Sequence, residues 1–466
     1  MTAPLPNILV FMTDDHAEWA VHCCGNSELM TPTMDSLATR GARMSNAFTP
    51  SPVCSPARAS FFTGCIPSHH GIHNYISEWD IGRDHPGLRG QTTLAQLLHD
   101  KGYHTGLIGK WHCGGDSTPQ PGFDRWFTFA DGHQLPHFGQ VRYCDQGDIV
   151  EIHGHAATTI TDQAMAFLRQ RPVEQPFFLF VGYVNTHTPH KDQPDRLVSH
   201  YANARFGDIP RGETCPPGYR SAIKRGPAGI EEQRESWAQH YAAVSMIDEQ
   251  MGRLIDEMDN LQLRDNTLIV YTSDHGHFAG HHGLPFSKGN ATVPQNFFEE
   301  AIRVPLLLDW PGHVQAGIVP DQFVDHCDLF QTLLAAAEVR GDGIPSPGRS
   351  FLPLLKGQEM PWRDAQFCEY GNARMIRTKS HKFICRYPGP NGHFGDELYD
   401  LTVDPRERHN VINDPINMER LADLRRRLDG YFAQYEAPQR SGRHVALQPQ
   451  AGAVEPWRSL PAQVSG

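Results

Sequence analysis

Five short, mostly apolar stretches bounded by turn residues punctuate the chain: NILVFMT from Asn7, HTGLIG from His104, FFLFVGYV from Phe177, TLIVYTS from Thr267 and VPLLLDW from Val304. Near-continuous hydrophobicity predicts strands covered on both faces, as in a parallel sheet. Between them apolar residues recur at helical spacing, in TTLAQLLHDKG from Thr92, TTITDQAMAFLRQR from Thr158 and the long segment from Glu231 to Leu261. The alternation predicts a doubly wound α/β domain with a mainly parallel sheet over residues 1–345. Near Gly341 the pattern changes. GDGIPSPGRSFLPLLKGQEMPWRD reads as a connection, and MIRTKSHKFICRYP, DELYDLTVDPRERHNV and the helical NMERLADLRRRLDGYFAQY predict a smaller C-terminal α+β domain over 346–436. Residues 437–466 lack periodicity and predict an extended tail.

Composition narrows the function classes. The 466 residues carry a formal charge of -12, which leaves no basic footprint for nucleic acid. The opening MTAPLPNILVFMTDD has no charged leader region, and nowhere do eighteen apolar residues follow one another. A cytoplasmic protein without a membrane partner is expected, with its oligomeric state open. The ten cysteines show no CxxC and no tight spacing, so reduced thiols are expected, with Cys54 a separate case.

In open α/β sheets ligands bind beyond the carboxyl ends of the strands. There the chain places Thr13-Asp14-Asp15-His16, Lys110-Trp111-His112, Asn185-Thr186-His187-Thr188-Pro189-His190 and Ser273-Asp274-His275-Gly276. Any one of these acids could be a helix cap or a turn residue. Together they carry more. Adjacent carboxylates such as Asp14 and Asp15 repel unless a cation or several donors neutralise them. With Asp274 the set becomes oxygen-rich, which suits Ca²⁺ or Mg²⁺, and His275 would admit Mn²⁺ or Zn²⁺.

The stretch CSPARASFFTG, from Cys54 to Gly64, fits the signature of the formylglycine-dependent sulfatases. NILVFMTDDH, TGLIGKWH, HTPH, SDHG with GHHG, and ELYDLTVDPRERHNV resemble other segments of that family across nearly the whole chain. The resemblance implies an alkaline phosphatase-like α/β sheet with a small C-terminal domain bearing an antiparallel sheet. It also implies that a maturation enzyme reading Pro56 and Arg58 oxidises Cys54 to formylglycine. A thiolate would be trapped as a stable S-sulfonate, whereas a hydrated aldehyde can attack with one hydroxyl and expel sulfate with the other. The metal would be one divalent cation, Ca²⁺ ahead of Mn²⁺ or Mg²⁺, held by Asp14, Asp15, Asp274 and His275 with an oxygen of the modified Cys54. Arg58 would steady the nucleophile, and a helix starting at Cys54 would favour its anion. Lys110 and Lys288 would grip sulfate oxygens, His112 would act as a base, and His187 would lie beside the leaving-group oxygen. Many relatives carry Asn where His275 stands, and the segment between Lys288 and Phe298 is longer than usual.

These features imply hydrolysis of an aryl, alkyl or carbohydrate sulfate monoester. A phosphonate monoester or phosphodiester hydrolase is the rival within the superfamily, against which TDDH leans toward sulfate; an inactive binding protein on the same scaffold is the other. The loops 66–88 and 131–155 are expected to shape the substrate pocket, with Tyr75, Glu78, Trp79, His73, His133, His153 and His155 as candidate walls and Arg374 within reach.

Overall fold

In the computed structural model Asn7–Thr13 is a strand buried along its whole length. Its side chains leave alternately to opposite faces: Leu9 and Phe11 join one apolar cluster, and Ile8, Val10 and Met12 another. Phe177–Gly182 and Thr267–Ser273 divide their residues in the same way. An apolar run without alternation encodes this double burial. The structure describes residues 4–77, 85–130, 137–222, 230–389, 392–452, 455 and 457, so Glu78, Trp79 and His133 lie outside the described residues.

Asn7–Thr13 sits between Thr267–Ser273 and Phe177–Gly182, and His104–Gly109 and Arg125–Phe129 continue beyond the latter, all parallel. Leu306–Asp309 and Ala42–Arg43 add antiparallel pairing at one edge. Phe138–Asp145 and Asp148–His155 add it at the other, completing a mixed nine-stranded sheet. Helices Pro32–Arg40, Ala156–Gln170 and Ile230–Asn260 cover one face, through residues such as Leu37, Ile160 and Ile247. Helices Cys54–Thr63, Leu94–Asp100 and His326–Ala336 cover the other, through Phe61, Leu98 and Phe330.

Two expectations are corrected. Residues 138–155, expected as part of a loop, form a hairpin that turns at Gln146 and Gly147, whose φ values of +52° and +101° suit a two-residue primed turn. The residues from Ala437 onward do not begin as an extended tail. Pro438–Arg440 and Gly442–Leu447 form 3-10 turns, fastened by Gly442 N–H to Ser68 Oγ at 2.8 Å and by His73 Nε2–H to Arg440 O at 2.7 Å. Polar contacts of this kind leave little trace in hydrophobic periodicity.

The C-terminal part holds a four-stranded antiparallel sheet, Ala365–Tyr370, Ala373–Thr378, His381–Arg386 and Glu397–Asp400. Leu424, Leu428 and Phe432 form the apolar stripe of helix Met418–Tyr435 and pack on Ile376, Phe383 and Leu398.

Candidate active site and metal centre

The central parallel strands deliver their polar ends to one place. Asp14 and Asp15 follow Asn7–Thr13, Lys110 and His112 follow His104–Gly109, and Asp274 and His275 follow Thr267–Ser273. Lys110 N–H donates to Gly182 O at 2.8 Å, an approach that requires glycine next door: a Cβ on Gly109, at φ +107°, would stand 2.1 Å from that same oxygen. Thr186 fixes the acidic pair, its N–H donating to Asp14 O at 2.8 Å and its hydroxyl to Asp15 O at 2.6 Å. The two carboxylates take different ammonium partners, Asp14 pairing with Lys110 and Asp15 with Lys288 at 2.8 Å, while each keeps an oxygen near Cys54.

Cys54 is the first residue of a wholly buried helix that ends at Gly64, where φ is +68°. The uncompensated N–H groups at that end favour an anion. Its Sγ lies 2.9 Å from Lys288 Nζ, 3.2 Å from His275 Nε2 and 3.4 Å from Asp14 Oδ1. One turn on, Arg58 donates from Nε to Asp274 Oδ2 at 2.8 Å and from Nη1 to Lys110 O at 2.9 Å.

Three carboxylates thus meet three cationic side chains, all of them buried. Burial works to raise the Asp14 carboxyl, but Lys110, His187, Lys288 and Arg58 outweigh it and hold it well below the usual range. Burial likewise opposes a charged Lys288, yet Asp15, Cys54, Asp14 and Asp274 hold its ammonium well above the usual range.

The residues present fit a metal ion. Ligand atoms of Asp14, Asp15, Cys54 and His275 all lie within 4.8 Å of one another. Asp274 adjoins them, with Oδ1 3.5 Å from His275 Nε2. His275 Nδ1 lies 2.8 Å from Gly276 O, which can only accept, so a proton sits on Nδ1 and Nε2 is the nitrogen that faces the carboxylates, a donor in the charged ring and a metal ligand in the neutral one. Burial disfavours a charged His275, but Asp274 leads the groups that push its imidazole up to about 9, so a proton and a cation compete for Nε2.

His112 has φ +57° and is held by its N–H, which donates to Asp116 Oδ1 at 2.7 Å. Its Nε2 donates to Ile76 O at 2.9 Å, and Ile76 N–H donates to Ser55 Oγ at 2.9 Å, a chain of contacts that reaches the residue after Cys54. In the neutral ring the lone pair therefore falls on Nδ1. His187 places Nε2 3.9 Å from Asp15 Oδ2 while Nδ1–H donates to Thr188 O at 2.8 Å.

Asp116 and Thr186 escaped sequence reasoning, because they act through backbone contacts that no motif spacing reports. Arg374 does not reach the pocket. It is buried against the C-terminal segment, donating to Glu369 Oε1 at 2.9 Å, Ser68 Oγ at 3.0 Å and Ser441 Oγ at 3.1 Å. His155 is tied to Gln193 Oε1 at 3.3 Å, and His153 meets Phe138 edge-on across the hairpin.

Residues 6–339 match the Sulfatase family model, and residues 294–434 match that of the N-sulphoglucosamine sulphohydrolase C-terminal region. The chain is 27% identical to an N-acetylglucosamine-6-O-sulfatase of Bacteroides thetaiotaomicron over 92% of its own length and 87% of that protein. It is 28% identical to an arylsulfatase of Clostridium perfringens, over 90% of its length and 93% of that protein. A protein solved in complex with its substrate D-glucosamine-2-N,6-O-disulfate superposes with a TM-score of 0.78 at 25% identity, covering 93% of this chain and 98% of that one. The phosphonate monoester hydrolase of Agrobacterium radiobacter shares the fold, with a TM-score of 0.73 at 21% identity over 92% of this chain and 96% of that one.

Proposed function

This chain belongs to the sulfatase family and is a sulfuric ester hydrolase, and from that premise we propose that Cys54, converted to formylglycine by a maturation enzyme, attacks the sulfur of a carbohydrate sulfate monoester. The observation that carries the reading is the convergence of Lys288, His275 and Asp14 within 3.4 Å of Cys54 Sγ at the start of a buried helix. The hydrated aldehyde supplies one hydroxyl for attack and a second for release of sulfate, while Asp14, Asp15, Asp274 and His275 would hold a divalent cation, Ca²⁺ ahead of Mn²⁺ or Mg²⁺, which would supply positive charge beside the transferring group. Lys110 and Lys288 offer ammonium donors to the sulfate oxygens. Arg58 holds Asp274 and the Lys110 carbonyl in register with the helix. His112 takes up a proton at Nδ1, and His187 flanks the leaving-group oxygen.

A relative active on N-acetylglucosamine-6-sulfate, by its name, and a structural neighbour bound to a glucosamine disulfate support a sulfated sugar as substrate. Among the described residues no helix is long and apolar enough to cross a membrane; a cytoplasmic location is part of the proposal. We place the catalytic domain at 1–345 and the smaller domain at 346–436.

The test is a panel of sugar sulfates, aryl sulfates, phosphate diesters and phosphonates, run on preparations whose conversion at residue 54 is measured by peptide mass spectrometry. Sulfate hydrolysis should rise in proportion to conversion and exceed every phosphorus substrate. Equal activity in a wholly unconverted preparation would remove formylglycine from the reading, and a preference for phosphonates would favour the rival activity.

A further inference from the structure

Beneath the surface beside the catalytic centre lies a group of histidines that the reaction does not use. His240 comes from the middle of helix Ile230–Asn260 and His277 from the turn after Thr267–Ser273, and they are 0% and 1% exposed. Their ring centroids are 4.3 Å apart with the planes inclined by 55°. None of their four ring nitrogens has a hydrogen-bond partner. Orphaned buried polar atoms are rare and costly, and four at one spot call for a common cause.

The neighbouring rings behave differently. His190 Nε2 lies 3.1 Å from Thr186 O, His281 Nδ1 donates to Phe278 O, and His16 Nε2 lies 2.7 Å from Ala20 O. Trp19 and His190, both partly exposed, stand over the pair at 5.4 Å from His277 and 5.5 Å from His240. The groups acting on His240 are burial first, then His190 and His16, with no carboxylate among them, so the ring is neutral and its lone pair is available. A donor set of imidazoles without acids is unlike the oxygen-rich set around Asp14. It suits a borderline transition-metal dication and not Ca²⁺ or Mg²⁺.

We propose that His240 and His277 are ligands of a second cation site, selective for a transition-metal dication of the zinc or copper kind and distinct from the centre at Cys54. The rings, with centroids 4.3 Å apart, are close enough for one nitrogen of each to meet a shared ion at about 2.0–2.1 Å after a small rotation.

Copper(II) is the probe, added to the full chain in the presence of excess Ca²⁺. The electron paramagnetic resonance spectrum should show superhyperfine coupling to at least two imidazole nitrogens, and the coupling should persist in His187→Ala, which leaves the centre at Asp14 with the imidazole of His275 alone. Zn²⁺ should displace the signal and raise the thermal midpoint. Both effects should vanish in His240→Phe and His277→Gln, with circular dichroism reporting on the fold. A wild-type spectrum with one nitrogen or none overturns the proposal without reference to any variant. A two-nitrogen spectrum that persists in both folded variants overturns it equally.

Discussion

Replacing Arg58 by methionine tests whether the arginine of the Cys54 motif is a structural keystone as well as a recognition element. The guanidinium is fully buried and grips three acceptors: Asp274 Oδ2 at 2.8 Å, Lys110 O at 2.9 Å and Thr13 O at 3.4 Å. Arg58→Met keeps much of the volume but leaves a buried carboxylate without its partner, a loss of about 3–5 kcal/mol. The stripped Lys110 carbonyl adds roughly 1–3 kcal/mol. Asp274 retains a bond from His275 N–H at 2.9 Å, one from Asp15 N–H at 3.4 Å and the His275 imidazole 3.5 Å from Oδ1, which holds the expected total at about 4 kcal/mol. Arg58→Lys restores the charge without the fork and should cost about 1–3 kcal/mol. Urea unfolding followed by tryptophan fluorescence, on unconverted protein with chelator present, reads these differences apart from catalysis. In the double variant Arg58→Met/Asp274→Asn the carboxylate is gone, so its loss should be smaller than that of Arg58→Met alone by roughly 2 kcal/mol. A single variant within about 1 kcal/mol of the parent, or a double variant that loses the full sum of both, would refute the ion-pair argument.

Three further outcomes follow from the same geometry. Cys54→Ser retains an oxygen near Lys288 and His275 but has no second hydroxyl on that carbon, so a single-turnover assay should release at most one equivalent of leaving group; sustained turnover at the parent rate would sink the formylglycine reading. Asp14→Asn should lose the bound cation by elemental analysis together with turnover, while circular dichroism stays that of the parent; full metal occupancy would dismiss Asp14 as a ligand. Glu299 is buried, which would raise its carboxyl, but Lys382, Arg377 and Arg303 outweigh burial and hold it at about 2 against an ordinary 4.5. A depressed folded value stabilises above the ordinary value and is lost as pH falls through the folded one, so the parent's thermal midpoint should fall more steeply between about pH 4.5 and 2 than that of Glu299→Gln. Parallel curves would contradict it.

What could be read along the chain follows from how each feature is encoded. The central strands were legible because burial on both faces demands an unbroken apolar run, as in Ile8–Met12 with its alternating allegiance to two clusters. The edge hairpin was misread although QVRYCD and DIVEIH alternate, since one face of that hairpin is solvent-exposed and its polar positions resemble loop composition. Ala365–Tyr370 escaped notice because two of its six residues, Gln366 and Glu369, are polar yet buried, satisfied by Asp325 and Ser68 from remote parts of the sequence and by Arg374 on the next strand. Arg374 was misplaced for the same reason: an arginine on a strand announces a charge but not its partners.

The site divides along the same line. Asp14, Asp15, Asp274, His275, Lys110 and Lys288 come together in the structure, and their residue types could be picked out along the chain because the proposed binding of a cation beside an anion admits few others. Their supports are under no such restriction. Thr186 holds the acidic pair and Asp116 holds His112 through one hydroxyl or carboxylate meeting a backbone group, a task that several residue types perform equally well. The supports nevertheless determine whether the site is a site. Without the Thr186 contacts, the turn at Asp15 with φ +57° has no fixed exit, and two adjacent carboxylates would be free to swing apart to solvent instead of converging on Cys54.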